Sequence, residues 1–411
     1  MTSSFITPRR RSQIHYRQLE LGRKHRPDYW LLILCASLLA IGLIVVYAIS
    51  PALSQANHVS SGYYIGKQVV AIGLSLLAFI ITARVPLSWW QRAYKPLLVA
   101  AAIATLFALI IPVNPAFPAH RWVRLGSFSF QSVELLKFAI LIWLAGFLAA
   151  RIKQGTIHSR VLTLKPLVIA LLVVSAVVVG IQSDLGSAGV IVAIMGTMAY
   201  IAGLPLGRIM LIAMTVILIA LLAVSITPYR RDRLQSYLHP GSHCQSSGYQ
   251  ACQALIAVGS GGVIGLGLGS GVQAYGYLPE AANDSIFAIY AEKFGFIGGI
   301  VLLAVFMAFF TRLKSIAERL PDDFSRLLVV GVLAWLSVQT VINIGAMIGL
   351  LPLKGITLPF ISYGGTSVVF VAAAVGLVFQ ASQYASYTVP RVASGVGQRD
   401  VYTNPARRTN Y

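Results

Sequence analysis

Ten runs of mostly apolar residues recur along this chain of 411, near 30–49, 66–83, 97–111, 132–150, 166–182, 186–204, 208–226, 285–310, 327–350 and 366–385. A helix needs about 20 such residues to cross a bilayer. In lipid a backbone satisfies its own N–H and C=O groups only as a helix or a closed barrel. The pattern predicts an all-α integral membrane protein of about ten transmembrane helices. Charge agrees, since 11% of the residues are charged against roughly 25% in a soluble domain. No large soluble domain fits. The expected division is a basic tail over 1–28, a transmembrane domain over 29–386 and a polar tail over 387–411. The first apolar run follows RRR at 9–11 and is too long for the h-region of a cleaved signal peptide.

A net charge of +20 would suggest nucleic acid in a soluble protein. In a membrane protein Lys and Arg gather in cytoplasmic loops instead. The basic residues fall in the N-terminal tail and in alternate loops: Arg84, Arg92 and Lys95, then Arg151 to Lys165, then Arg312 to Arg326. The loop over 50–65 has none. Both tails are therefore expected in the cytoplasm, and no nucleic acid is expected as partner. The arginines at 230, 231 and 233 are the main exception on the outer side, with Arg121 and Arg124 a lesser one.

Between the seventh and eighth runs lies a long extracytoplasmic loop, 227–284, with a glycine-rich passage, GSGGVIGLGLGSG. A loop of that length between apolar spans is functional or disordered, and this one carries charge. Ionisable groups within or beside spans usually line a cavity. Here they gather at one level. Glu134 and Lys137 share a helix face, as an ion pair or as ligand contacts. Asp184 stands at the start of the sixth span, as an N-cap, a ligand contact or both. Asp284 sits where the long loop re-enters, and Lys354 in a later outer loop. Glu292 and Lys293 lie about 12 Å further in, and packing is the favoured role for Glu292. Arg231 and Arg233 belong either to a solvated face or to an anion site. Cys244 and Cys252 share the outer loop and are candidates for a disulfide. Such a constellation suits an anionic, partly lipid-embedded ligand. No P-loop, HExxH or GxSxG motif competes.

Five stretches carry a resemblance: RWVRLGSFSFQSVELLKFAIL, QSDLGSAG, YRRDRL, GYLPEAANDSIFA and NIGAMIGLLPLKGITLPFISYGGTS. Together they resemble the SEDS family (shape, elongation, division and sporulation) over nearly the whole hydrophobic chain. The resemblance implies a membrane glycosyltransferase that polymerises lipid II, an undecaprenyl-linked precursor, into peptidoglycan strands. It implies a class B penicillin-binding transpeptidase and other membrane proteins of cell division as partners. Lys354-Gly355-Ile356-Thr357-Leu358-Pro359 resembles the division type rather than the elongation type. The alternatives are an elongation-type polymerase, a lipid-linked precursor flippase or an inactive scaffold. By resemblance Asp284 is the essential carboxylate, with Mg or Mn as a possible helper. Substrate contacts are expected from Glu134, Lys137, Asp184, Arg231, Arg233, Lys354, Ser362, Gly364 and Gly365. The two glycines serve either backbone approach to the ligand or packing. Departures are Ala282-Asn283 where the family has His-Thr, Leu266 where a lysine is common, and Ser132-Val133 in place of Pro-Ser.

The charge alternation has a direct check in a version lacking the native cysteines. An impermeant thiol reagent should label Ser60→Cys in intact cells and miss Ser159→Cys. Equal labelling would remove the ten-span arrangement.

Overall fold

The computed structural model describes residues 25–110, 122–125, 128–182, 184–226, 237, 244–246 and 248–385. Its helices are α1 (Tyr29–Ala56), α2 (Tyr63–Arg84), α3 (Leu87–Arg92), α4 (Tyr94–Ile110), α5 (Ser132–Lys153), α6 (Lys165–Ser175), α7 (Leu185–Ile201), α8 (Leu206–Ile226), α9 (Tyr249–Ser260), α10 (Ile286–Arg319), α11 (Asp323–Met347) and α12 (Gly365–Ser382). Single π turns flank α6 at Arg160–Leu164 and Ala176–Ile181. Among the described residues seven helices are long and apolar enough to cross a membrane, and three shorter ones are also apolar. Seven and three make the ten apolar helices, with α3 and α9 outside the count. The protein is an all-α integral membrane protein. A two-stranded hairpin before α5, β1 (Trp122–Leu125) with β2 (Phe128–Gln131), was not expected. Its four-residue strands are too short for their alternation to stand out.

Helix α11 is the hub, packed against α5, α7, α10 and α12. The bundle depends on close approach of its helices. A Cβ on Gly376 of α12 would lie 2.0 Å from Thr82 Oγ1 of α2, and one on Gly331 of α11 would lie 2.3 Å from Leu141 of α5. Small residues serve this purpose between membrane helices, where lipid offers no hydrophobic drive to association. At one end of the bundle Asp28 caps α1, accepting from Leu31 N–H. Its other oxygen binds Arg312 of α10 at 2.6 Å, and its N–H donates to Ser382 of α12. The opposite end carries the starts of α2, α5, α7, α10 and α12 and the close of α11.

The glycine-rich passage is not a free loop. Helix α10 breaks at Gly295 (φ 64°, ψ −162°), a conformation essentially confined to glycine. The break frees the carbonyls of Glu292 and Lys293 and the amides of Phe296 and Ile297. Leu266 and Gly267 N–H donate to the two carbonyls at 2.9 and 3.0 Å, and Phe296 and Ile297 N–H donate to Gly262 and Val263 at 2.9 and 3.0 Å. Irregular backbone at membrane depth is tolerated only when protein satisfies it in this way. Side chains complete the join. Glu292 Oε1 accepts from the amides of Val272 and Gln273, while Lys293 Nζ donates to the carbonyls of Leu268 and Ser270. Glu292 and Lys293 are thus packing residues. Cys244 and Cys252 are joined by a disulfide with Cα atoms 5.5 Å apart.

Two glycines of α10 should respond in opposite ways to alanine. A Cβ at Gly295 would meet Gly265 N at 2.3 Å, whereas Gly299 has nothing within 4 Å. Gly295→Ala should cost at least about 1–3 kcal/mol. Gly299→Ala should be neutral or stabilise by up to about 1 kcal/mol. Thermal unfolding of the purified variants checks the contrast.

Candidate active site

The end of the bundle opposite Asp28 is assembled around two polar side chains of α11, Gln339 and Asn343. They lie four residues apart and so on one face. Gln339 is fully buried. Its Oε1 accepts from Trp335 Nε1 at 2.8 Å and from Lys137 Nζ at 3.1 Å. Its Nε2 donates to the carbonyl of Thr357 at 2.9 Å. Lys137 in turn binds Glu134 Oε1 at 2.7 Å and lies 4.9 Å from the Trp335 ring centroid. The ammonium is 1% exposed, so its partners are Glu134, Gln339 and an indole face rather than solvent. A buried charge is tolerated when it is paired and hydrogen-bonded. The ion-pair role for Glu134 and Lys137 is the one the geometry displays.

Asn343 performs the corresponding task one turn further along. Its Nδ2 gives both hydrogens to backbone carbonyls, of Asp284 at 2.7 Å and of Ile356 at 2.6 Å. One amide therefore holds together the loop that carries Asp284 and the loop that carries Lys354. Those two residues and Asn343 line a common pocket with Ile342, Ala346, Met347, Gly355 and Ile356. Asp184 is nearby through α7. It caps that helix, accepting from Ser187 N–H at 3.0 Å and from Ser187 Oγ at 2.9 Å. A Cβ two residues on, at Gly186, would touch Ile356 Cγ1 at 2.6 Å and Lys354 Cβ at 3.0 Å. The first turn of α7, which Asp184 caps, thus packs on the Lys354 loop, while Asp284 and Lys354, far apart in sequence, share the pocket.

Ser362 is 1% exposed and holds the Asp284 loop. Its Oγ accepts from Leu358 N–H at 2.7 Å and donates to the carbonyl of Asn283 at 2.6 Å. Tyr363 N–H donates to the carbonyl of Ala282 at 2.8 Å. Ser362 positions backbone, with both hydrogen bonds of its Oγ spent on it. Gly364 is the N-cap of α12 and Gly365 its first residue. Gly365 is exposed, with open space where a Cβ would stand. Arg231 and Arg233 lie outside the described residues. The amides of Leu266, Gly267, Val272 and Gln273 are spent on α10, so the glycine-rich passage does not offer these to a ligand.

The described residues include no group of three or more His, Cys, Asp or Glu able to hold a metal. Asp284 is the sole carboxylate lining its pocket, and a lysine lines it too. A magnesium ion there would need most of its ligands from substrate and water. Sequence reading singled out ionisable groups and so missed Gln339, Asn343, Trp335 and Thr357. A legible signal existed in the two amides, four apart in a span that is otherwise mostly apolar.

The buried pair has a sharp consequence. Lys137→Met strands Glu134 without its cation and should cost about 3–5 kcal/mol. Adding Glu134→Leu removes the stranded charge and should recover most of that loss. Thermal unfolding in detergent distinguishes the single from the double variant.

Comparison with known proteins identifies the family. The model of the cell cycle protein family of FtsW, RodA and SpoVE matches residues 29–387. A probable peptidoglycan glycosyltransferase FtsW from Saccharophagus degradans is 37% identical over 365 residues, 86% of this chain and 92% of that protein. Stage V sporulation protein E of Bacillus subtilis is 35% identical over 368 residues, 89% of this chain and 99% of the relative. Among solved structures, a chain described under structural coordination of polymerization and crosslinking by a peptidoglycan synthase complex superposes with TM-score 0.70. It is 26% identical, over 87% of this chain and 97% of its own length. With a family match across the whole transmembrane region, the chain belongs to the FtsW/RodA/SpoVE family, the SEDS proteins.

Proposed function

We propose that this protein is a peptidoglycan glycosyltransferase that polymerises lipid II, with Asp284 as its catalytic carboxylate. The observation that carries the reading is the pocket in which Asp284 and Lys354 stand together, held by the two hydrogen bonds of Asn343. A carboxylate within hydrogen-bond reach of an acceptor hydroxyl can take its proton as the oxygen attacks. The new C–O bond forms at the anomeric carbon of the donor sugar. The bond from that carbon to the undecaprenyl pyrophosphate oxygen breaks, and the pyrophosphate leaves as an anion. Lys354 is the cation suited to that anion, as a point charge. Lys137, committed to Glu134 and Gln339, supports the fold of the site instead. Asn343 Oδ1 is buried with no hydrogen-bond partner among the described residues. It is suited to accept a hydrogen bond from a ligand hydroxyl.

The charge alternation supports a site on the outer leaflet and both tails in the cytoplasm. The names of the curated relatives and the KGITLP segment support a role at the division septum. The similarity to a synthase complex that polymerises and crosslinks supports a class B transpeptidase as partner. Other membrane proteins of division complete the expected assembly.

Asp284→Asn keeps nearly the same shape while removing the charge and the proton acceptor. With labelled lipid II and the partner transpeptidase, glycan polymerisation should fall by about 100- to 10,000-fold. Monodispersity and transpeptidase binding should be retained. Near wild-type polymerisation by the folded variant would remove Asp284 from the mechanism.

A further inference from the structure

An aromatic cluster stands beside the Asp284 loop and has no part in the chemistry above. Tyr63 and Tyr64, in the first turn of α2, meet edge to face with centroids 5.4 Å apart. Tyr64 meets Tyr363 edge to face at 5.5 Å. Lys67 sits over the Tyr63 ring, 4.3 Å from its centroid, and donates to the Tyr63 hydroxyl. Tyr363 is joined through its N–H to the carbonyl of Ala282, two residues from Asp284. On the same loop Asn283 Nδ2 donates to Glu280, and Glu280 is close enough to Tyr64 to act on it electrostatically.

The arrangement differs from an interfacial aromatic belt, whose rings anchor singly at the headgroup level. These three rings are interlocked, and the chain of contacts ends on the backbone of the reactive loop. Tyr63 remains 38% exposed and Glu280 is exposed. Burial, with Tyr63 and Tyr64 beside it, pushes the Tyr363 phenol up to about 12. It is therefore a neutral hydroxyl at any physiological pH. Glu280 holds a left-handed backbone conformation (φ 52°), uncommon for a residue with a side chain. Ring faces beside a carboxylate, an amide and an ammonium match the two needs of a sugar. Its C–H face packs on aromatic surface, and its hydroxyl and acetamido groups require donors and acceptors.

We propose that Tyr63, Tyr64 and Tyr363, with Lys67, Glu280 and Asn283, form a saccharide subsite for the lipid-linked glycan. The inference rests on the reading of Asp284 as the reactive carboxylate. The subsite holds a sugar ring against the loop that presents that carboxylate. The binding energy comes from the sugar and not from the pyrophosphate or the lipid.

The test compares two ligands that share tail and pyrophosphate and differ in the disaccharide: lipid II freed of its stem peptide, and undecaprenyl pyrophosphate. Equilibrium binding is measured on the full-length chain in nanodiscs, with Asp284→Asn present to stop turnover. Tyr64→Leu should weaken lipid II binding by about fivefold and leave undecaprenyl pyrophosphate within about twofold. Tyr64→Phe, which keeps the ring, should retain most of the affinity for lipid II. Glu280→Gln changes an exposed side chain and does not depend on the packing of Tyr64. It should also weaken lipid II selectively. The proposal is overturned if both Tyr64→Leu and Glu280→Gln leave lipid II affinity unchanged, or weaken the sugar-free ligand equally. Polymerisation by the unmodified chain is scored separately. Selective loss of lipid II binding without any polymerase activity would uphold the saccharide subsite while removing the proposed reaction.

Discussion

The buried ammonium of Lys137 is the interaction on which the architecture of the site depends. A charge with 1% exposure cannot be left to solvent, and its attraction to Glu134 alone would not offset desolvation. Gln339 supplies the remaining hydrogen bond and passes it on, from α11 to the carbonyl of Thr357. The charge on α5 is thereby tied to α11 and, through Gln339, to the loop that carries Lys354. Asn343 extends the same face of α11 to the loop that carries Asp284. Two uncharged amides on one helix thus align an acid and a base that lie 70 residues apart in sequence.

A second constraint comes from the membrane itself. Breaking α10 at Gly295 exposes backbone groups that lipid cannot satisfy. The glycine-rich passage repairs the break from one side while Glu292 and Lys293 hold it from the other. Glycine is required because loop and helix backbones touch. A Cβ on Gly261 would stand 2.0 Å from the carbonyl oxygen of Ala291. This join ties the long loop to the first turns of α10. Asp284 thus enters on a braced segment rather than at the end of a free loop. Preorganisation of this kind suits the general-base role proposed for Asp284, because reach and orientation decide whether proton transfer is productive.

Much of this was legible in the sequence, for reasons that can be named. The ten apolar runs appear as helices because lipid leaves a backbone no other local solution, so hydropathy alone locates them. Asp184 was readable as an N-cap because capping is decided by residues three apart. The level at which the ionisable groups gather followed from their positions at the ends of runs. The family motifs placed Asp284 and Lys354 among the site candidates, and the pocket contains both.

What remained for the tertiary structure was every relation between distant segments. Hydropathy is blind to uncharged polar side chains, so Gln339 and Asn343 passed as ordinary members of an apolar span. Ser362 reads as a ligand contact from its motif, and only the fold reveals that it also clamps two backbone segments. Glycines by themselves could not separate packing from backbone approach to a ligand. The choice depends on what lies opposite, and opposite the glycine-rich passage lies a broken helix. The sequence by itself determined that this chain crosses a membrane about ten times, with its basic loops on one side and its candidate site charges near the other. Only the folded structure decided which of those charges pair with each other and which face a pocket, because pairing depends on three-dimensional proximity that no local pattern encodes.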